Sequence, residues 1–248
     1  MPVMPGAEPF AHDGGDTGVL VCHGFTGTPQ SVRPWAQRLA DEGLTVRLPR
    51  LPGHGTTWQE MNRTRWADWY AEVERAFGEL CDRCDRVFVA GLSMGGALAL
   101  RLAELQPARV SGVLLVNPCV TLGDPRLKAL PVLKHVVPSL AGIASDIAKP
   151  GERELAYDRT PLKALHSFVQ GYGDVAHDLP LVTQPLLLMR SAVDHVVPAA
   201  SSQLVLSRIS SKDVTELVLE HSYHVATLDH DAAVVQDETL AFVRRVTG

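Results

Sequence analysis

The chain has 248 residues, 23 basic against 28 acidic side chains, and a formal net charge of −5. Hydrophobic residues make up 46%, which fits a globular chain and argues against disorder; mild acidity with no Lys/Arg cluster in the sequence argues against a nucleic-acid surface. The apolar runs fall short of the roughly 20 residues a membrane helix needs. The opening "MPVMPGAEPFAHDGGD" lacks the basic and apolar regions of a secretory leader, so the four cysteines are expected reduced, in the cytoplasm.

In chain order, "GVLVCH" at 18–23 reads as a buried strand ending at Gly24. Val32, Trp35, Ala36, Leu39 and Ala40 recur at helical spacing, predicting a helix over 31–42 with Gly43 as its cap. Residues 45–48 form a short strand before the turn-rich "RLPGHGT". Trp66, Trp69, Tyr70, Val73, Phe77 and Leu80 mark one face of a long amphipathic helix. Cys81 and Cys84 follow that helix with no second C-x-x-C and no histidine pair nearby, so they read as ordinary thiols and no metal is expected. Strands are predicted at 86–92, 113–116, 186–190 and 216–219, and helices at 94–105, 199–209 and 232–246.

Continuous apolar strands alternating with helices imply a mostly parallel sheet covered on both faces. Residues 119–179 break the rhythm. They hold no clear strand but are rich in Leu, Val and Ile, and sixty bare loop residues would be implausible. The chain therefore reads as a single domain, 1–248, with a small helical cap inserted at about 119–179. Within the cap Leu130, Leu133, Val136, Val137, Leu140 and Ile143 recur at mostly helical spacing, a candidate acyl-pocket lining.

At the strand-to-helix junction Gly91-Leu92-Ser93-Met94-Gly95 fits G-x-S-x-G. So sharp a turn puts Ser93 at positive φ, a costly conformation for a residue with a Cβ, and leaves no room for flanking side chains. The alternative is a helix-capping serine. A nucleophilic serine needs a base and a group to orient it. In this architecture they follow in the order Ser, acid, His, on loops after later strands. Asp194 and His224 meet order and placement. His195 adjoins the acid and would point away, His221 comes too early, and His230 lies between Asp229 and Asp231, acids expected to cap the last helix. Asp174 and Asp178 fall in the cap. The loop "CHGFTGTP" follows the first strong strand, so the Phe25 and Met94 amides are the expected oxyanion donors. His23 and His54 read as structural.

With these residues placed, the chain resembles the serine α/β-hydrolases, and within them the bacterial monoacylglycerol lipase and carboxylesterase group. The carrying stretches are "HGFTGTP", "RLPGHGT", "GLSMGG", "ELAYDRTP", "DHVVP" and "SYHVATLDHD". The resemblance implies an α/β-hydrolase fold and ester hydrolysis through an acyl-enzyme, without a cofactor and most naturally on monoacylglycerol. It puts the triad on Ser93, Asp194 and His224, the oxyanion amides on Phe25 and Met94, and a glycerol-contacting glutamate on Glu154. A small lipid ester is the expected partner, with transient contact of the cap with a lipid surface. A general carboxylesterase or thioesterase of other acyl substrates, perhydrolase chemistry, or a non-catalytic ligand receptor that has kept its triad, are the alternatives on the same fold.

Overall fold

The structure is a computed structural model that describes residues 2–142 and 145–248. The elements run β1 (Phe10–His12), β2 (Thr17–Cys22), α1 (Arg33–Asp41), β3 (Thr45–Leu48), α2 (Trp58–Met61), α3 (Trp66–Cys81), β4 (Arg86–Leu92), α4 (Met94–Leu105) and β5 (Gly112–Val116). There follow α5 (Leu130–Leu133), β6 (Ser139–Ala141), β7 (Arg159–Pro161), α6 (Leu162–Asp178), β8 (Leu186–Ser191), α7 (Ala199–Arg208), β9 (Val214–Leu219) and α8 (Ala232–Thr247).

One sheet, ordered β1-β3-β2-β4-β5-β8-β9, is parallel except for its β1 edge. Its strands are apolar on both faces because helices cover both. Val19, Val21, Phe88, Ala90, Leu114 and Val116 pack under α1 and α8, where Trp35 Nε1 donates to Thr239 Oγ1 at 3.0 Å. Leu20, Val87, Val89, Val113 and Leu115 face the other way, against α3, α4 and α6. Register aligns the carboxyl ends: Cys22 opposes Gly91, Leu92 opposes Val116, and Ser191 opposes Leu219. Loops leaving these ends therefore meet at one edge, where open α/β sheets build their sites. Among the described residues no helix is long and apolar enough to cross a membrane.

Two short pairings lie outside the sequence reading. β1 is a three-residue, mostly exposed edge strand antiparallel to β3. In the 119–179 stretch β6 and β7 pair antiparallel, so this segment is not purely helical. The helical spacing over 127–147 does not produce a helix either. Pro125 opens a 3-10 turn, Pro131 starts the one-turn α5, and the chain turns extended at Pro138. Proline lacks the amide that an α-helix interior requires. Val132 and Val136 are 74% exposed as a result, while Leu130 is buried; Ile143 lies outside the described residues.

The turn between β4 and α4 is the tightest point of the fold. Ser93 has φ 58° and ψ −118°. Its amide donates to Val116 O at 3.0 Å, and its carbonyl accepts from the amides of Gly96, Ala97 and Cys119. Four backbone bonds thus hold a conformation that costs of order 1–3 kcal/mol. A Cβ on Gly91 would lie 2.2 Å from the Gly95 carbonyl, and one on Gly95 would lie 2.1 Å from Cys22 O at the end of β2. The two glycines therefore serve different contacts, one across the turn and one against the neighbouring strand. Because both obstacles are backbone, Gly95→Ala should destabilise the fold by about 3 kcal/mol or more. That would lower the thermal midpoint by roughly 8 °C; a midpoint equal to wild type would show that the turn has slack.

Candidate active site

Ser93 and His224 open onto a cavity of 370 Å³ at the carboxyl edge, with Phe25, Asp146, Glu154 and His195 also on its wall. His224 Nδ1 lies 2.7 Å from Asp194 Oδ2, both side chains being less than a tenth exposed. Asp194 Oδ1 accepts from the amides of Val196 and Val197 at 2.8 and 2.7 Å. Burial alone would raise the Asp194 pKa, but the bond and charge of His224 and the two amides outweigh it, and the carboxyl is held below its usual range. A carboxylate on Nδ1 fixes the proton there and leaves Nε2 as the basic nitrogen. Asp194 itself stands behind the imidazole, off the cavity wall.

The oxyanion candidates come from the ends of two neighbouring strands, β2 and β4. Phe25 follows β2, and Met94 is the first residue of α4. Among the described residues neither amide donates to another protein group, and an amide at a helix start is an orphan donor. Thr26, at φ 61°, lends its carbonyl to the Tyr157 amide at 3.1 Å. The Tyr157 hydroxyl then donates to Gly53 O and accepts from the Thr56 amide, both at 2.8 Å. Leu155 N donates to Gln30 Oε1 at 2.8 Å. The "ELAY" stretch is thus bonded to both loops flanking Phe25.

Glu154 belongs to that stretch and reaches the cavity. Its Oε1 would be 2.5 Å from a Cβ on Gly27, so only glycine admits the carboxylate there. Burial pushes its pKa up to about 7, against the opposing influence of the His224 charge and a hydrogen bond with Ser31.

Three positioning residues carry no signal in the sequence. Asp146 accepts from the amides of His195 and His224 at 3.1 and 3.2 Å and lies 2.8 Å from His195 Nδ1. One carboxylate therefore grips the loops bearing both Asp194 and His224. Asn117, buried at φ 44°, accepts from Ser191 N and donates to Ser191 Oγ and His224 O. Asp229 gathers the amides of Ala148, Lys149, Tyr223 and His230, all within 2.9 Å. Neither Asp229 nor Asp231 caps α8 with its side chain, as charge at a helix start had suggested; Asp231 takes the His221 amide instead. His195, its side chain about half exposed, is held by Asp146 on the cavity wall.

The family described as "Serine aminopeptidase, S33" matches residues 16–231. A thermostable monoacylglycerol lipase of Bacillus sp. (strain H-257) is 42% identical over 248 residues, all of this chain and 98% of that one. A carboxylesterase of Bacillus subtilis is 25% identical over 96% of this chain and 97% of its own. A solved chain from the metagenome-derived lipolytic enzymes LipS and LipT superposes with a TM-score of 0.96 at 43% identity, covering 98% of this chain and 100% of that one. The chain belongs to the serine aminopeptidase S33 family.

His23 lies beneath these loops with no exposed surface. Its Nδ1 is 3.0 Å from Gly24 O, and its Nε2 accepts from Leu51 N at 3.2 Å. Burial drives its pKa from 6.5 down to about 4, and neighbouring His54 is likewise held well below the histidine range, first by burial and then by the His23 charge. The unfolded chain takes up the His23 proton first. Stability is therefore whole above pH 6.5 and drains by about 3 kcal/mol as pH falls toward 4. The His23 ring resonances should stay in their neutral position at pH 5 in NMR spectra of the native protein; a midpoint near 6.5 would refute the assignment.

Proposed function

We propose that the chain acts as a monoacylglycerol lipase, with Ser93 as nucleophile, His224 as base and Asp194 orienting the base. It is a carboxylic ester hydrolase. The observation that carries the residue roles is the pairing of His224 Nδ1 with Asp194 beside a strained serine on one cavity wall.

In this reading His224 Nε2 takes the Ser93 proton as Oγ attacks the ester carbonyl. The Phe25 and Met94 amides receive the oxyanion, one such donor typically contributing about 3 kcal/mol. Collapse expels the alcohol with the proton from His224, leaving an acyl-enzyme. Water, deprotonated by His224, then releases the fatty acid. We read residues 119–179 as a cap over this edge and place the protein in the cytoplasm, with Cys22, Cys81, Cys84 and Cys119 free. Leu122, Leu127, Leu165, Phe168, Val196 and Val197 line the cavity and suit an acyl chain, each buried methylene contributing about 0.8 kcal/mol. Leu130, Leu133, Val136, Val137 and Leu140 are not among the lining residues. Exposed Val132, Val136 and Leu140 instead suit transient contact of the cap with a lipid surface.

Ser93→Ala should abolish hydrolysis and stoichiometric fluorophosphonate labelling while leaving the thermal midpoint unchanged. His224→Ala should lower kcat by several orders of magnitude. Labelling that survives in Ser93→Ala would place the nucleophile elsewhere.

Glu154 sets the head-group preference. A bound monoacylglycerol keeps two free hydroxyls, and a carboxylate can accept from both. Hydrogen bonds to a charged group contribute about 1.5–3 kcal/mol, or one to two decades. Glu154→Gln should therefore weaken monoacylglycerol hydrolysis about tenfold or more and barely change hydrolysis of the p-nitrophenyl ester of the same acid. Gly27→Ala, which pushes the carboxylate aside, should do the same. In wild type the ratio of the two activities should rise as pH passes about 7, where Glu154 ionises; taking the ratio cancels any pH effect common to both substrates. Equal losses on both substrates would mean that Glu154 supports the loop instead.

A further inference from the structure

A second cleft, of 230 Å³, lies between the start of α6, the start of α3 and the turn after α5. Its wall carries Arg65, Lys134, His135, Lys163 and His166, with no acidic residue among its lining. These positions are scattered over a hundred residues of sequence, so no cluster of bases shows along the chain; the fold assembles it.

The cluster is uncompensated. Lys134 Nζ lies 3.0 Å from His166 Nδ1. Lysine can only donate, so this nitrogen accepts and the imidazole is neutral. His166 is held below the usual histidine range, by burial first and then by the charges of Lys134, His135 and Arg65. Among the described residues the Arg65 guanidinium donates only to the carbonyls of Asn62 and Thr64. Asp68, one turn on, spends its carboxylate on the Arg65 amide. Arg75, Arg101 and Arg190 all pair with carboxylates, but among the described residues Arg65, Lys134 and Lys163 form no ion pair.

Helix polarity adds to the imbalance. Lys163 is the second residue of α6, and Arg65 immediately precedes α3. Both cations thus stand at the positive ends of long helices, where an anion is the favoured neighbour. The Ser167 hydroxyl accepts from the Trp66 amide at 2.9 Å, which leaves its proton to donate. Ammonium groups, a guanidinium, an imidazole N–H and a hydroxyl together offer donors in several directions, which suits a tetrahedral oxyanion.

We propose that this cleft is a binding site for a phosphate-type anion, whether free phosphate or the phosphate of an anionic phospholipid headgroup. It is separate from the substrate cavity, although α6 walls both: Leu165 and Phe168 line the cavity while Lys163, His166 and Ser167 line the cleft. The site does not depend on the reading of the active site.

The test has two arms on the intact protein. Titration with inorganic phosphate against chloride, at constant ionic strength and pH, should shift the His166 ring resonances saturably. Vesicles of phosphatidylcholine mixed with phosphatidylglycerol should co-sediment more protein than phosphatidylcholine alone. Because the chain carries a net charge of −5, attraction to an anionic surface must come from a local site. Lys134→Gln combined with Lys163→Gln should weaken either response about tenfold, and Lys128→Gln, at a cap cation outside the cleft, should not. Both variants should hydrolyse p-nitrophenyl butyrate like wild type, which verifies their fold. A response to phosphate alone identifies a soluble ligand, and one to the vesicles alone a lipid headgroup; either supports the site. No response in either arm, or responses unchanged in the double variant, would overturn it.

Discussion

At Gly95 the first turn of α4 lies so close to the end of β2 that a methyl group would stand 2.1 Å from Cys22 O. That contact fixes where Ser93 can be. With α4 pressed against β2 and the Ser93 carbonyl shared among three amides, the residue cannot relax from φ 58° without giving up bonds in three segments. The strain is local, and its support is spread over β2, β5 and the loop after β5. The loop carrying Phe25 begins where the same strand ends. The distance between the serine and its expected oxyanion donors is therefore set by sheet register rather than by loop flexibility.

The remaining groups sit on loops that leave the sheet and lose its hydrogen-bond ladder. Buried amides there still require partners, and short polar side chains supply them. Asn117 ties the end of β5 to the last residue of β8 and to the loop after β9. Asp146, from the 119–179 stretch, accepts from the loops after β8 and β9, while Asp229, within the His224 loop, reaches back to Ala148 and Lys149. A carboxylate accepting several amides is stabilised in its charged form, and the Asp229 pKa is lowered by four such bonds despite its burial. Residues 119–179 and the carboxyl edge of the sheet thus share a bonded network, and Asp146 ties that stretch to the His195 and His224 backbones through one side chain.

The elements legible in the sequence are those whose burial is periodic. β3, β4 and α4 fall on the expected residues because two-sided burial and a glycine-bounded turn leave a direct pattern. β1, β6 and β7 are three residues long, too short for a period, and their partners are distant in sequence. The apolar positions of the insert misled for a related reason: three prolines cut a helical spacing into a turn, a single helical turn and a strand. The residues of the candidate triad were legible from chain order and loop placement. Asp146, Asn117 and Asp229 were not, because their partners are backbone amides, and an amide has no residue identity to search for.

Two carboxyl groups near His224 differ in a way that only the folded environment decides. Asp194 accepts two amides and the imidazole, and its pKa is lowered although burial opposes this. Glu154 has the same chemistry, but only the His224 charge and one hydrogen bond with Ser31 favour its charged form, and burial wins. The difference is donor count. It makes Asp194 a fixed anion suited to orienting an imidazolium and leaves Glu154 short of partners at the pH where it titrates. In the proposed reading the two hydroxyls of a monoacylglycerol head group supply the missing donors. Binding then draws the Glu154 pKa down and releases a proton, so that affinity for the head group and ionisation of the carboxyl reinforce each other. In that reading an alkyl ester brings no donors and gains nothing from the same carboxylate, so preference arises from a shortage of donors around Glu154 rather than from a shape that excludes the competitor.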